Sequence, residues 1–167
     1  MDGCSIRTAR IDDAGAIAAI YAHHVLNGTA SFDIEPPDEA FWRDKIAHIT
    51  AMGWPFLVAE HDSEVLGYCY AAQLRERPGY APTCEDSIYV RADCAGQGVG
   101  TSMLDALVAA ARAFGFEQMI AVIGGGEPAS IALHAKLGFV EVGRLKNVGL
   151  KFGRKLDSVY MQRGLGG

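Results

Sequence analysis

The segment Val90-Arg91-Ala92-Asp93-Cys94-Ala95-Gly96-Gln97-Gly98-Val99-Gly100-Thr101 carries the densest chemical signal in the chain. It joins the end of a strand-like run to the start of a helix-like one, which aims several backbone N–H groups and the positive end of a helix dipole at one place. Alternate glycines let the main chain approach a ligand closely and adopt conformations closed to other residues. That chemistry suits a phosphate; an ordinary tight turn is the competing reading of these residues alone. Two nucleotide motifs fail on spacing. Counting GxGxxG from Gly96 puts Thr101 where the last glycine belongs, and no GxxxxGK followed by Ser or Thr occurs.

Other side chains of the right chemical type lie on either side of this turn. Glu85 begins the strand that enters it, and its neighbour Asp86 points to the opposite face if the strand is regular. An unperturbed Glu titrates at about 4.3, so a base at neutral pH needs a raised pKa or a water relay. His134 follows the triple glycine Gly124 to Gly126, and an imidazole titrates near neutrality. Arg75 and Arg77 sit in a charged loop with Tyr80, and a guanidinium fork matches a carboxylate. No metal site is expected. His23 and His24 are adjacent and diverge by about 100° on a helix, while His48 and His61 fall on other elements.

The elements that must position these groups alternate without strict βα order. A strand over Ile6 to Ile11 leads to a helix capped by Asp12 or Asp13, running to about Leu26, with Ala14, Ile17, Ala18, Tyr21 and Val25 inward. Asp38 caps a second helix containing Phe41, Trp42, Ile46 and Ile49. A hairpin follows in Phe56 to Glu60 and Val65 to Ala72, then the loop Leu74 to Thr83. After the strand Glu85 to Val90 comes a helix with the core stripe Leu104, Leu107, Val108, Ala111 and Phe114, ended by Gly115. The strand Met119 to Ile123, a short helix from Pro128 to Leu137, and closing strands around Phe139 to Leu145 and Leu156 to Arg163 complete a mixed α/β sheet.

Composition narrows the class. The 167 residues form one expected domain, half of them apolar and 21% charged, which is an ordinary globular composition. A net charge of -5 opposes broad attraction to nucleic acid or anionic membranes, so an anionic ligand needs a local cradle. The four cysteines show no CxxC spacing and no leader-like segment precedes them, so reduced thiols and a cytoplasmic location are expected. No apolar run approaches the ~18 residues that span a bilayer.

The runs SIYV, GQGVGTSML, AVIGGGEPAS and LHAKLGFVEVG resemble the acyl-coenzyme A binding half of the GNAT superfamily. IRTARIDDAGAIAAIY, WPFLVAE, EVLGYCYA and VGLKFGRKLDSVYMQ extend the likeness over nearly the whole chain, and more narrowly to the phosphinothricin and methionine sulfoximine acetyltransferases. This resemblance implies a GNAT fold, a mixed and mostly antiparallel sheet flanked by helices. It implies acetyl-coenzyme A as cosubstrate, no metal, a small amine as acceptor and a homodimer.

Residue by residue, the resemblance places the cofactor on Tyr89, Val90, Gly96, Gln97, Gly98, Val99, Gly100, Thr101 and Ser130. Glu85 becomes the general base, His134 an assistant to base or leaving group, and the Val90 N–H the oxyanion donor. Arg75, Arg77 and Tyr80 of RERPGY, with Phe32 and Glu35, form the substrate side. Two positions depart from the pattern, Ala95 for a polar residue and Glu127 for an asparagine. A protein or peptide N-acetyltransferase and a non-catalytic acyl-coenzyme A sensor are the alternatives; Arg75 and Arg77 count against the first, Glu85 and His134 against the second.

Overall fold

A computed structural model describes residues 4–166. Seven strands, β1 (Ser5–Thr8), β2 (Phe56–His61), β3 (Glu64–Gln73), β4 (Thr83–Val90), β5 (Gln118–Gly124), β6 (Val140–Lys151) and β7 (Arg154–Gly164), form one sheet. Their order is β1-β2-β3-β4-β5-β7-β6, and β4 with β5 is the parallel pair in an otherwise antiparallel sheet. Helices α1 (Ala14–Asn27), α2 (Glu39–Ala51), α3 (Val99–Phe114) and α4 (Pro128–Lys136) complete the α/β architecture.

Two apolar layers sandwich the sheet. On one face Ile17 and Ile20 of α1 and Trp42, Ile46 and Ile49 of α2 bury against Phe56, Val58 and Tyr68. On the other, α3 presents Val99, Met103, Leu104, Leu107, Val108 and Ala111 at helical spacing to Cys69, Cys84 and Met119. Burying a large aliphatic side chain contributes about 1.5–3 kcal/mol, so α3 is the rigid pillar on which its own N-terminus is carried.

Several boundaries differ from expectation. β1 stops at Thr8, and Ile11–Asp13 form a short 3-10 turn. Asp13 does not cap α1 with its side chain, because its carboxylate accepts from the Arg10 amide at 2.7 Å and from the Arg7 guanidinium at 2.8 Å. Ile20 takes the buried place expected of Ala18 and Tyr21, which are half-buried. Asp38 does cap α2, accepting from the Phe41 amide at 2.9 Å. Phe114 is exposed, and Phe116 turns into the core in its stead. The closing strands are longer than predicted and form a hairpin about Phe152 and Gly153, both at positive φ. A bulge between Leu145 and Gly149, with Asn147 at φ 57°, breaks the alternation that the prediction relied on.

The functional geometry begins where β4 and β5 part. They are in register only from Thr83 to Asp86 against Gln118 to Ala121, after which β5 follows β7 and β4 stays with β3. The Leu74 amide donates to Thr83 O and the Arg91 amide to Leu66 O, which fixes the phase of the β3–β4 ladder. In an antiparallel ladder bonded and non-bonded pairs alternate, so Ile88, opposite Cys69, and Val90, opposite Gly67, direct their backbone N–H and C=O groups away from β3. Those groups face the gap.

Candidate active site

Two adjoining cavities occupy this gap. The larger, about 620 Å³, runs under the glycine-rich turn and is bordered by His24, Val90, Gly98, Thr101, Leu133 and Lys136 among others. The smaller, about 130 Å³, is bordered by Glu85, Asp86, Ala121, Ile123 and His134. Ala30, Ile88, Tyr89 and Ser130 border both. Glu85 and Asp86, successive residues whose side chains point to opposite faces of β4, both border this smaller cavity. A roomier groove of about 700 Å³ between α1 and the β2–β3 turn is bordered by Asp12, His23, Glu64, Arg91 and Asp93; Arg91 is already paired with Glu64 and Asp93 there.

The turn is built as an anion cradle. Gly96 and Gly98 hold φ of 74° and 85°, the left-handed region that a side chain disfavours. A Cβ on either would meet nothing within 4 Å, so the requirement is conformational, and the space above them is open. The first helical bond of α3 runs from Ser102 N to Gly98 O, leaving the amides from Gly96 to Thr101 without backbone acceptors among the described residues. No side chain caps this helix. Gln97 turns back to Asp93 O and Val99 is core, so these two contribute through the backbone. Lys136, exposed on α4, adds a cation to the same cavity.

At the strand end, His24 Nε2 lies 2.8 Å from Val90 O. A carbonyl only accepts, so this ring nitrogen carries the proton. With its carbonyl taken, Val90 offers the gap a single free group, its N–H. Tyr89 faces the other side, edge-on to Tyr21 at 5.0 Å and stacked on Tyr68 at 5.6 Å, and burial drives its phenol well above the ordinary pKa, so it is neutral.

Glu85 shares its sheet face with Ala72, its cross-strand partner, and with Tyr70. Burial raises its carboxyl above the ordinary value, the charge of Asp86 adds to this, and Arg75 and Lys45 oppose it. On the other face His134 is buried, its Nε2 3.0 Å from Asp86 Oδ2 and its Nδ1 2.7 Å from Ser130 O. Burial alone would depress the imidazole; the hydrogen bond and charge of Asp86, with the Ser130 carbonyl, outweigh it, and the net shift is upward.

The loop residues are placed less uniformly. Arg75, Arg77 and Tyr80 are exposed, and neither arginine has a carboxylate partner among the described residues. Gln73 pins the loop by donating to Arg75 O and Arg77 O. Arg75 is near enough for its charge to act on Glu85. Phe32 borders neither cavity and instead packs on β6, where a Cβ at Gly149 would stand 2.5 Å from its ring. Buried Lys151 donates to Ser31 O at 2.8 Å and ties down the same loop. Glu35 is exposed and borders neither cavity. No three His, Cys, Asp or Glu side chains converge as a metal site among the described residues.

The acetyltransferase (GNAT) domain family matches residues 6–160. The chain belongs to the GNAT acetyltransferases. It is 50% identical over 163 residues to a phosphinothricin N-acetyltransferase of Alcaligenes faecalis, covering 97% of this chain and 83% of that protein. It is 44% identical over 165 residues to an L-methionine sulfoximine/L-methionine sulfone acetyltransferase of Pseudomonas aeruginosa, covering 96% and 94%. The crystal structure of a GNAT superfamily phosphinothricin acetyltransferase from Sinorhizobium meliloti, in complex with acetyl-coenzyme A, superposes with a TM-score of 0.96 at 44% identity, over 98% of this chain and 89% of that one.

In this GNAT chain, reading the sequence alone did not single out His24, Asp86, Lys45 or Lys136 as site residues. The alternation of β4 did put Asp86 on the face opposite Glu85, but nothing local reveals that α4 brings a histidine there. The sequence excludes His24 only from a metal site, and its partner is 66 residues away.

Proposed function

We propose that this GNAT protein transfers the acetyl group of acetyl-coenzyme A to the amino group of a small amino-acid-like compound of the phosphinothricin, methionine sulfoximine or methionine sulfone type. One observation carries this reading. A cavity beside the point where β4 and β5 part is bordered by both Glu85 and His134, and it shares Ala30, Ile88, Tyr89 and Ser130 with the larger cavity beneath the glycine-rich turn.

The roles follow from the chemistry each position allows. The free amides from Gly96 to Thr101 and the α3 dipole receive the coenzyme diphosphate, with Lys136 beside them. The N–H and C=O of Ile88 that face away from β3 suit the amide-bearing pantetheine arm, and the Val90 N–H suits the oxyanion that develops on the thioester carbonyl. Glu85, half-buried with a raised pKa, takes the proton that the ammonium must lose before attack. The amine nitrogen then bonds to the carbonyl carbon and sheds its second proton to solvent, the C–S bond breaks, and the sulfur leaves to be protonated. Arg75 and Arg77 take the carboxylate of the acceptor. Holding both reactants in one gap lowers the entropic part of the barrier.

The same reading treats the chain as a single catalytic domain, cytoplasmic and working as a homodimer. Strand β6 supports the last point: it is an outer strand of the sheet, and Val140, Val142, Leu145, Val148 and Leu150 are exposed along it. Among the described residues no helix is long and apolar enough to cross a membrane.

Release of free thiol from acetyl-coenzyme A tests the activity, across phosphinothricin, methionine sulfoximine, methionine sulfone, the common amino acids and short peptides. Turnover with the first three is expected. Turnover with peptides alone would make the chain a peptide N-acetyltransferase, and turnover with none would leave the sensor reading.

A further inference from the structure

Asp86 is buried at the point where β4 and β5 separate, and its only ion-pair partner among the described residues is His134. The pair is sealed, with side-chain exposures of 1% and 2%. The other carboxylate oxygen, Oδ1, has no hydrogen-bond partner, and Asp86 borders the smaller cavity. On the far side of the ring, Nδ1 faces the Ser130 carbonyl at 2.7 Å and the Ser130 hydroxyl at 3.4 Å. Phe139 packs edge-on against the imidazole at 5.0 Å and fixes its plane.

Both ring nitrogens therefore look at acceptors. A neutral imidazole has one N–H and one lone pair. Placing the lone pair at Nδ1 would set it against the Ser130 carbonyl, and placing it at Nε2 would set it against a carboxylate unless Asp86 itself held a proton. The arrangement is satisfied without conflict when the ring carries two protons and Asp86 is ionised, because an imidazole is more basic than a carboxylate.

We propose that Asp86 is a positioning residue that holds His134 as an imidazolium, so that His134 acts as the acid toward the leaving thiolate and not as a base toward the amine. This rests on the acetyl-transfer reading above and decides between the two roles left open for His134. A ring with no free lone pair cannot accept the amine proton, which leaves that task to Glu85. When the C–S bond breaks, the thiolate takes a proton from the hydroxyl of Ser130, a residue that borders both cavities, and Ser130 recovers one from His134 Nδ1, 3.4 Å from that hydroxyl. The ring is then neutral, keeps Nε2–H on Asp86, and regains its proton from water as product leaves. The attacking nitrogen sheds its second proton to solvent as the tetrahedral adduct collapses and Glu85 returns the first, so each turnover gives the amide, the free thiol and one net proton.

The groups around the pair leave this assignment undisturbed. Glu85, next along β4, is on the other face, and the thiols of Cys69 on β3 and Cys84 on β4 are pushed up by burial, the latter to about 12, with the Asp86 charge adding to both. They stay neutral. Among the residues bordering this cavity β5 contributes the uncharged Ala121, Val122 and Ile123, α4 contributes Ser130 beside His134 itself, and the ring of Phe139 ahead of β6 packs on the imidazole.

The test is ¹⁵N NMR of the imidazole side chains in the unliganded protein from pH 6 to 9, with His134 assigned by loss of its signals in His134→Asn. Both His134 nitrogens should remain protonated well above the ordinary histidine value of 6.5. In Asp86→Asn the ring should be neutral at pH 7.5, kcat should fall by about 10²-fold, at the lower end for a general acid, and the alkaline limb of the kcat profile should move to lower pH while KM for acetyl-coenzyme A holds. A wild-type ring that titrates at or below 6.5, or that is neutral beside a protonated Asp86, overturns the proposal, as does an Asp86→Asn ring that titrates as in the wild type. If Asp86→Asn does not fold, the wild-type titration alone decides. Because it needs no substrate, this result stands apart from any failure of the acetyl-transfer assay.

Discussion

The His24 ring on α1 donates from Nε2 to the carbonyl oxygen of Val90, 66 residues further along the chain, at the end of β4. The bond anchors the carbonyl side of the residue whose N–H faces the gap, and it occupies the carbonyl that would otherwise repel an oxyanion there. His24→Ala should therefore lower kcat about tenfold by loosening one oxyanion donor, less than the ~10²-fold or more that removing a donor outright costs. His24→Gln, which can still donate, should recover part of the loss; steady-state kinetics on both variants check this.

Glu85 is placed to accept the amine proton, so Glu85→Gln should reduce kcat by about 10²-fold or more while leaving coenzyme A affinity intact. The sign of the pH dependence follows from its environment. Burial raises the carboxyl above 4.5, the base works only when ionised, and kcat must rise with pH through that raised value. An acid limb at or below 4.5, or an unchanged rate in the variant, would remove Glu85 from the chemistry.

Arg75 and Arg77 are separable, although both are exposed on one loop. Either substitution by alanine should raise KM for an acceptor carrying a carboxylate. Only Arg75 acts on Glu85 by charge, so Arg75→Ala should also move the acid limb of kcat to higher pH, and Arg77→Ala should not. Parallel pH profiles of the two variants measure the difference.

Leu150, two-thirds exposed on the outer strand β6, lies in the apolar row that supports a homodimer. Leu150→Asp should convert a dimer into a monomer by sedimentation, because a carboxylate cannot be desolvated cheaply in an apolar contact. A wild-type protein that sediments as a monomer would remove the dimer from the account.

What was legible in the sequence was local. The left-handed glycines before α3, the Asp38 cap and the alternation of β4 are each specified within a few residues, and each could be read there. The contacts that assemble the site are not. Asp86 meets His134 across 48 residues, and only the divergence of β4 from β5 makes room between them. The family resemblance implies Phe32 on the pocket wall, yet Gly149, far along the chain, offers its ring a flat seat on β6. The last hairpin runs beyond the bounds its sequence suggests, because a bulge and an exposed apolar edge both disguise a strand.

The account rests on the main-chain amides from Gly96 to Thr101 holding a coenzyme A diphosphate and thereby placing its thioester in the gap. Titration calorimetry with coenzyme A on the wild type and on Gly98→Val, whose φ of 85° a β-branched residue resists, measures this directly. Saturable binding that weakens at least about tenfold in the variant, a change of roughly 1.4 kcal/mol, is the predicted result. Binding of neither coenzyme A nor acetyl-coenzyme A to the wild type, or equal binding to a folded Gly98→Val, would contradict it.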